Sequence, residues 1–219
     1  MKLDTDRERN GDRTRDAILD AAAALFAERG YRATSLADVG ARAGVSRGTP
    51  GYFFGSKAAL YQAVVARAVD DVRQAVHSGR VRALASGRTA EDILAGAVTE
   101  YFDYLHAHPT FVRLIERAAL GGDDLPGELQ PAVEAGREAL AAIAAELGLD
   151  DTPGGEASQL LFSIISLCWF SVVHDSTVAP AVGVALDQPA DLVRRRAHVT
   201  ALILGGLRAL PALSAEPDR

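Results

Sequence analysis

Residues Thr34–Lys57, TSLADVGARAGVSRGTPGYFFGSK, decide the fold. The stretch reads as two short helices joined by a tight, glycine-containing turn. Leu36, Val39, Ala43 and Val45 can share one inward side. Gly44 falls where the first helix must stop, because glycine accepts the left-handed conformation of a C-terminal cap at little cost. Ser46 follows as a good N-cap for the second helix. Helix, glycine turn and helix make the helix-turn-helix pattern, whose second helix enters the DNA major groove.

The flanks are helical too. On the N-terminal side, Ile18, Ala21, Ala22, Leu25 and Phe26 fall on one face of a helix over Thr14 to Arg29, which Gly30 ends. Thr34 or Ser35 caps the second helix, which runs to about Ala43, and Ser35 with Asp38 fits a capping-box spacing. The third is expected from Arg47 to about Phe53. Ser56 caps a fourth, from Lys57 to about His77, whose apolar residues repeat at three and four. At about 1.5 Å per residue it spans roughly 30 Å. Ser78-Gly79 and Ser86-Gly87 bracket a basic connection.

Helices continue to the C-terminus. They are expected from Thr89 to about His106, from Pro109 to near Gly121, over Glu128 to Leu147, over Glu156 to about Ser176, and from Pro189 to Leu210. Pro211 is expected to end the last one. No hairpin signal and no repeat is found. The fold class is all-α: a three-helix helix-turn-helix DNA-binding head and a larger helical body. The boundaries are a flexible arm over 1–12, the head over 13–56 and the body over 57–219.

Composition narrows the setting. The chain has 219 residues and a net charge of −6, which by itself does not suggest nucleic acid. The distribution says more. Residues 1–60 carry 10 Lys/Arg against 8 Asp/Glu, a balance of +2, and the rest carries 13 against 21, a balance of −8. The acidic bulk therefore sits away from the reading end. The N-terminal sequence has no apolar run that would read as a signal peptide. The single cysteine, Cys168, cannot form an intrachain disulfide, and a cytoplasmic location is expected. The strongly apolar run Leu160 to Val173 is 14 residues with three serines, short for a membrane span. His106-x-His108 puts two imidazoles on different helix faces, so no metal and no cofactor is expected, and no catalytic motif is found.

With those residues in view, Thr14–Val65 resembles the N-terminal domain of the TetR/AcrR family of transcriptional regulators. The likeness is carried by LFAERGYRATSL, ADVGARAGVSRGT and FFGSKAALYQAV. It implies a homodimer that binds palindromic operator DNA, most simply as a repressor, and that a small-molecule effector bound in the body releases. Read on this sequence, Thr34 offers a hydroxyl to phosphate, and Ser46 and Arg47 open the reading helix beside Gly48. Thr49 is short enough for a base edge, and Tyr52 and Lys57 are backbone anchors. Arg7, Arg9, Arg13 and Arg15 offer further phosphate contacts.

Pro50-Gly51 stands where the family usually shows Leu-Tyr. Pro50, taken as about the fourth helical residue, removes an early backbone bond, and Gly51 removes a side chain at roughly 1 kcal/mol of helix propensity. Tyr52 or Phe53 then takes the aromatic role. The same departure motivates an alternative, a small-molecule-binding helical protein that has lost DNA binding.

The last two long helices are the most apolar. Leu161, Ile165, Trp169, Val193, Ala197, Leu202 and Gly206 are the candidates for a bundle shared by two chains, with a monomer core as the other reading. Tyr101, Phe102, Leu105, Phe111, Ile115, Trp169 and Phe170 are candidates for lining an effector cavity.

Overall fold

The computed structural model describes residues 2–85, 89–121, 133–134, 136–138, 140–141, 144–145 and 148–214. Every regular element among them is a helix: α1 Lys2–Ala33, α2 Leu36–Arg42, α3 Thr49–Phe54, α4 Lys57–Ala85, α5 Ala90–Ala107, α6 Pro109–Gly121, α7 Glu156–Val173, α8 Val178–Ala181 and α9 Pro189–Ser214. The expected helix over Glu128 to Leu147 lies partly outside the described residues. Those described between 133 and 145 are helical. The chain forms two compact units, Met1–Val69 with Thr110–Leu129, and Asp70–Pro109 with Gln130–Arg219.

In the first unit, α1 supplies the apolar floor. Ile18, Leu19, Ala22, Leu25 and Phe26 are buried, as are Val39 of α2 and Leu60, Tyr61, Val64 and Val65 of α4. Phe26 and Tyr31 both meet Tyr61 edge-on at 5.1 Å between ring centroids. An Arg67–Asp20 ion pair of 2.7 Å joins α4 to α1. Gly30 adopts φ 81°, ψ 168° and breaks the α1 helix, a conformation that favours glycine. Beside it lies Arg117 of α6, whose Cδ would be 3.4 Å from a Cβ added at Gly30.

In the second unit, α5, α7 and α9 pack on one another. Their shared core includes Leu94, Phe102 and Leu105, Ile164 and Cys168, and Val199, Ile203 and Leu207, all buried. Thr89 and Asp92 close a capping box at the start of α5. Arg208 donates to Glu91 at 3.0 Å and Arg196 pairs with Asp103, so two ion pairs fasten α9 to α5.

Outside the α2–α3 unit, four boundaries differ from expectation. Helix α1 begins at Lys2, so the backbone of residues 2–12 is helical where an arm was read. Helix α4 does not stop near His77 but runs to Ala85. Its Gly79 is buried in a close crossing, where an added Cβ would lie 2.7 Å from Glu100 Cγ and 3.1 Å from the Gly96 carbonyl oxygen. The glycine therefore permits helix packing and does not end the helix. Helix α7 ends at Val173, and α9 continues through Pro211 to Ser214. Helix α7 also has the length and composition of a membrane-crossing helix, with a mean hydropathy of 1.5 over 18 residues, so the 14-residue run understated it. One side of it is covered by α5 and α9.

Candidate nucleic-acid interface

The reading unit is built from α2, the turn and α3. At the start of α2 the Ser35 hydroxyl accepts from the Asp38 N–H at 3.1 Å, and the Asp38 carboxylate accepts from the Ser35 N–H at 3.0 Å. The Ser35 hydroxyl also donates to that carboxylate, and these bonds hold Asp38 below the usual carboxylate range. Gly44 makes the turn at φ 70°. Gly40, inside α2, is where α3 closes on α2. A Cβ there would lie 2.9 Å from the Ser46 carbonyl oxygen, 3.3 Å from Arg47 Cα and 3.5 Å from Pro50 Cδ.

Helix α3 begins later than expected. Ser46 is not its N-cap; Gly48 holds that position. The Ser46 hydroxyl instead pairs with the Thr49 hydroxyl at 2.7 Å, and the Ser46 carbonyl accepts from the Thr49 N–H at 3.0 Å. Pro50 is therefore the second helical residue, in the first turn, where its missing N–H has no intrahelical partner to lose. Its ring is buried against α2. The expected loss of a backbone bond does not occur.

The exposed side of this unit carries Ser46, Arg47, Gly48 and Tyr52, with Thr49, Gly51 and Phe53 half-buried beside them. Tyr52 is 86% exposed. Arg15 of α1 lies over the Phe54 ring, its guanidinium carbon 5.0 Å from the centroid, which brings a cation to the end of α3.

Two residues read as phosphate anchors have other partners. Thr34 is only 2% exposed, and its hydroxyl donates to the Gly30 carbonyl at 2.9 Å. It closes the end of α1, and the exposed hydroxyl at the start of α2 is that of Ser35. The Lys57 ammonium donates to the Tyr31 carbonyl at 3.0 Å and sits 4.4 Å from the Tyr31 ring centroid. Lys57 thus pins the start of α4 to the end of α1.

The residues read as effector contacts divide between the two units. Phe111 and Ile115 lie on α6 and are buried in the first. Tyr101, Phe102 and Leu105 are buried on α5 in the second, near His106 and Cys168. His106 Nε2 is 3.0 Å from the Ser171 hydroxyl, and burial holds this imidazole below its ordinary value. Burial pushes the Cys168 thiol up to about 12. Trp169 is half-buried, whereas Phe170 is 49% exposed and shares the outer face of α7 with Phe162, 68% exposed. Phe170 thus groups with the surface stripe and not with the α5 side chains. On α9, Val193, Ala197, Leu202 and Gly206 are all exposed, while Leu161 and Ile165 of α7 are half-buried. Added Cβ atoms at Gly205 and Gly206 would meet nothing within 4 Å. Among the described residues no group of three or more His, Cys, Asp or Glu could hold a metal ion.

A helix-turn-helix unit with an exposed polar and aromatic second helix, carried with an all-helical body, defines a DNA-binding regulator. Residues 18–64 match the family model described as bacterial regulatory proteins, tetR family, and residues 91–203 match the tetracyclin repressor-like C-terminal domain. The chain belongs to the tetR family of transcriptional regulators.

Its relatives act in both directions. It is 36% identical over 104 residues to the HTH-type transcriptional activator FasR of Mycolicibacterium smegmatis, 48% of this chain and 46% of that protein. The chain thus matches about half the length of that relative. It is 28% identical over 217 residues to the HTH-type transcriptional repressor NicS of Pseudomonas putida, 92% of this chain and 96% of that protein. Among solved structures, the fatty acid degradation regulator FadR of Bacillus halodurans has the same fold, with a TM-score of 0.68 at 20% identity over 89% of this chain and 96% of that one.

Proposed function

We propose that this DNA-binding regulator is a homodimeric repressor of a palindromic operator, released by a small-molecule effector held in the helical body. The observation that carries the DNA half is the outward set Ser46, Arg47, Thr49 and Tyr52 on and before α3, with Gly48, Gly51 and Phe53 between them and Lys57 at the edge. A duplex meeting this face finds the Arg47 guanidinium, two short hydroxyls and one large ring, with the Lys57 ammonium at the edge. The alternative of a lost DNA binder rested on Pro50-Gly51, and Pro50 breaks nothing where it sits.

The dimer half is supported by the stripe on α7 and α9. Phe162, Phe170, Val193 and Leu202 are large apolar side chains left between 49% and 68% exposed on two adjacent helices. Large apolar side chains left exposed in this number mark an interaction surface. A second copy covers it with the same patch, the commonest symmetry of soluble oligomers. Gly205 and Gly206 let the two α9 helices approach closely.

Repression is the simpler action for a protein occupying an operator, and NicS, matched along nearly its whole length, is named a repressor. The effector is apolar with few polar groups, in keeping with the Tyr101, Phe102 and Leu105 face of α5, where His106 and Ser171 supply polar atoms. The chain works by binding and without turnover, in the cytoplasm where the operator lies. The test is a binding titration of the purified protein against DNA flanking its own coding region over a range of salt. A sequence-preferring complex whose affinity falls linearly with salt on logarithmic axes is expected. Equal affinity for unrelated DNA overturns it.

A further inference from the structure

The reading helix has an uncommon surface. Pro50 faces α2 and is buried. Tyr52, two positions on and about 200° round the helix, points away from the protein. At 86% exposure, with the Phe53 ring edge-to-face at 5.5 Å between centroids, its ring is almost wholly bare. The neighbouring positions along the helix, Gly48, Gly51 and Gly55, carry no side chain that could compete with it. Gly55 is required by its φ of 76°. Gly51 is not required by the fold: its backbone is helical, and an added Cβ would meet only Leu36 Cδ1, at an ordinary 3.9 Å. A helix-interior glycine is destabilising relative to alanine. Neither packing nor backbone conformation within this chain explains Gly51.

We propose that Tyr52 is the sequence-specifying residue of this regulator and that its ring reads the 5-methyl group of a thymine in the major groove, with Gly51 leaving room for the base edge against the helix. The assignment rests on α3 being the helix that enters the groove. The ring is uncharged and apolar except at its hydroxyl. The thymine methyl is the apolar group that the major groove offers to such a surface. A phosphate contact would use only the hydroxyl and would leave the exposed ring and the bare Gly51 unexplained. Arg47, at the turn before the helix, supplies the cationic contact.

The test starts with duplexes that the full-length protein selects from a random-sequence pool. Each thymine of the selected site is then replaced in turn by deoxyuridine, which removes only the methyl group. One thymine in each half-site is expected to lose about fourfold in affinity on replacement, the value of one buried methyl. That loss should disappear in Tyr52→Ala and persist in Tyr52→Phe. Gly51→Ala should keep or raise the melting temperature and weaken operator binding. The proposal is overturned if no thymine is sensitive, if the sensitivity survives in Tyr52→Ala, or if Tyr52→Phe weakens every duplex equally, as a phosphate anchor would. If the wild-type protein enriches no sequence at all, the DNA-binding reading itself fails, a result distinct from the other three.

Discussion

Gly40 is the residue on which the geometry of the reading unit turns. With the Ser46 carbonyl 2.9 Å from where a Cβ would stand, Gly40→Ala must push α3 away from α2. The expected loss is about 1–3 kcal/mol of stability, seen as a lower melting temperature, together with loss of operator binding. Lys57 gives a second test. Its ammonium is held by the Tyr31 carbonyl and ring, so Lys57→Met is expected to lower both the melting temperature and DNA affinity. A lysine held only for phosphate would leave melting unchanged. Sequence reading pointed to Lys57 but to one role only, because a partner 26 positions away in the chain leaves no local trace. For Thr34 the reason is different: its hydroxyl bonds back four positions to Gly30, while spacing shows only that it precedes a helix. Gly40 does leave a local trace, because glycine inside a helix is itself a signal of close approach.

At the scale of elements, local chemistry was legible. The Ser35–Asp38 box, the Gly44 turn and the Thr89 start of α5 all stand where the sequence put them. Ser35→Ala is expected to destabilise the head by about 1 kcal/mol in thermal unfolding, the usual value of an N-cap. What failed were the ends governed by tertiary contact. Glycine at position 79 reads as a stop when it stands alone. Set against Gly96 and Glu100 of α5, it is a seat for helix crossing, and α4 runs on to Ala85. The late start of α3 followed from the Ser46–Thr49 hydroxyl pair, which competes with the capping role that a serine usually takes.

For the whole molecule, the exposed stripe of α7 and α9 sets the expected assembly. Leu202→Glu places a charge among the exposed apolar side chains of α7 and α9 and is expected to yield monomers in sedimentation, with loss of tight operator binding because two linked heads bind far better than one. Dimers that persist unchanged would move the interface elsewhere. The body also carries a pH dependence. Burial lowers the His106 value, with Asp103 and Asp175 opposing and Arg195 assisting. The unfolded chain therefore takes up the proton first as pH falls. The stability that His106 contributes is complete above its unfolded value of about 6.5 and is lost as pH drops through it. The melting temperature should fall more between about pH 7 and 5 in the wild type than in His106→Gln, which keeps a donor for Ser171.

Cys168 is the one thiol of the chain, wholly buried in the body core and with its ionisation pushed up to about 12. Alkylating and maleimide reagents act on exposed thiolates, so the folded protein is silent to them. It therefore needs no cysteine removal before labelling. A cysteine introduced at exposed Ala37 or Ala58 would carry the only spin or fluorescent label, and the separation of two such labels in a dimer would report head-to-head distance directly, with and without a candidate effector.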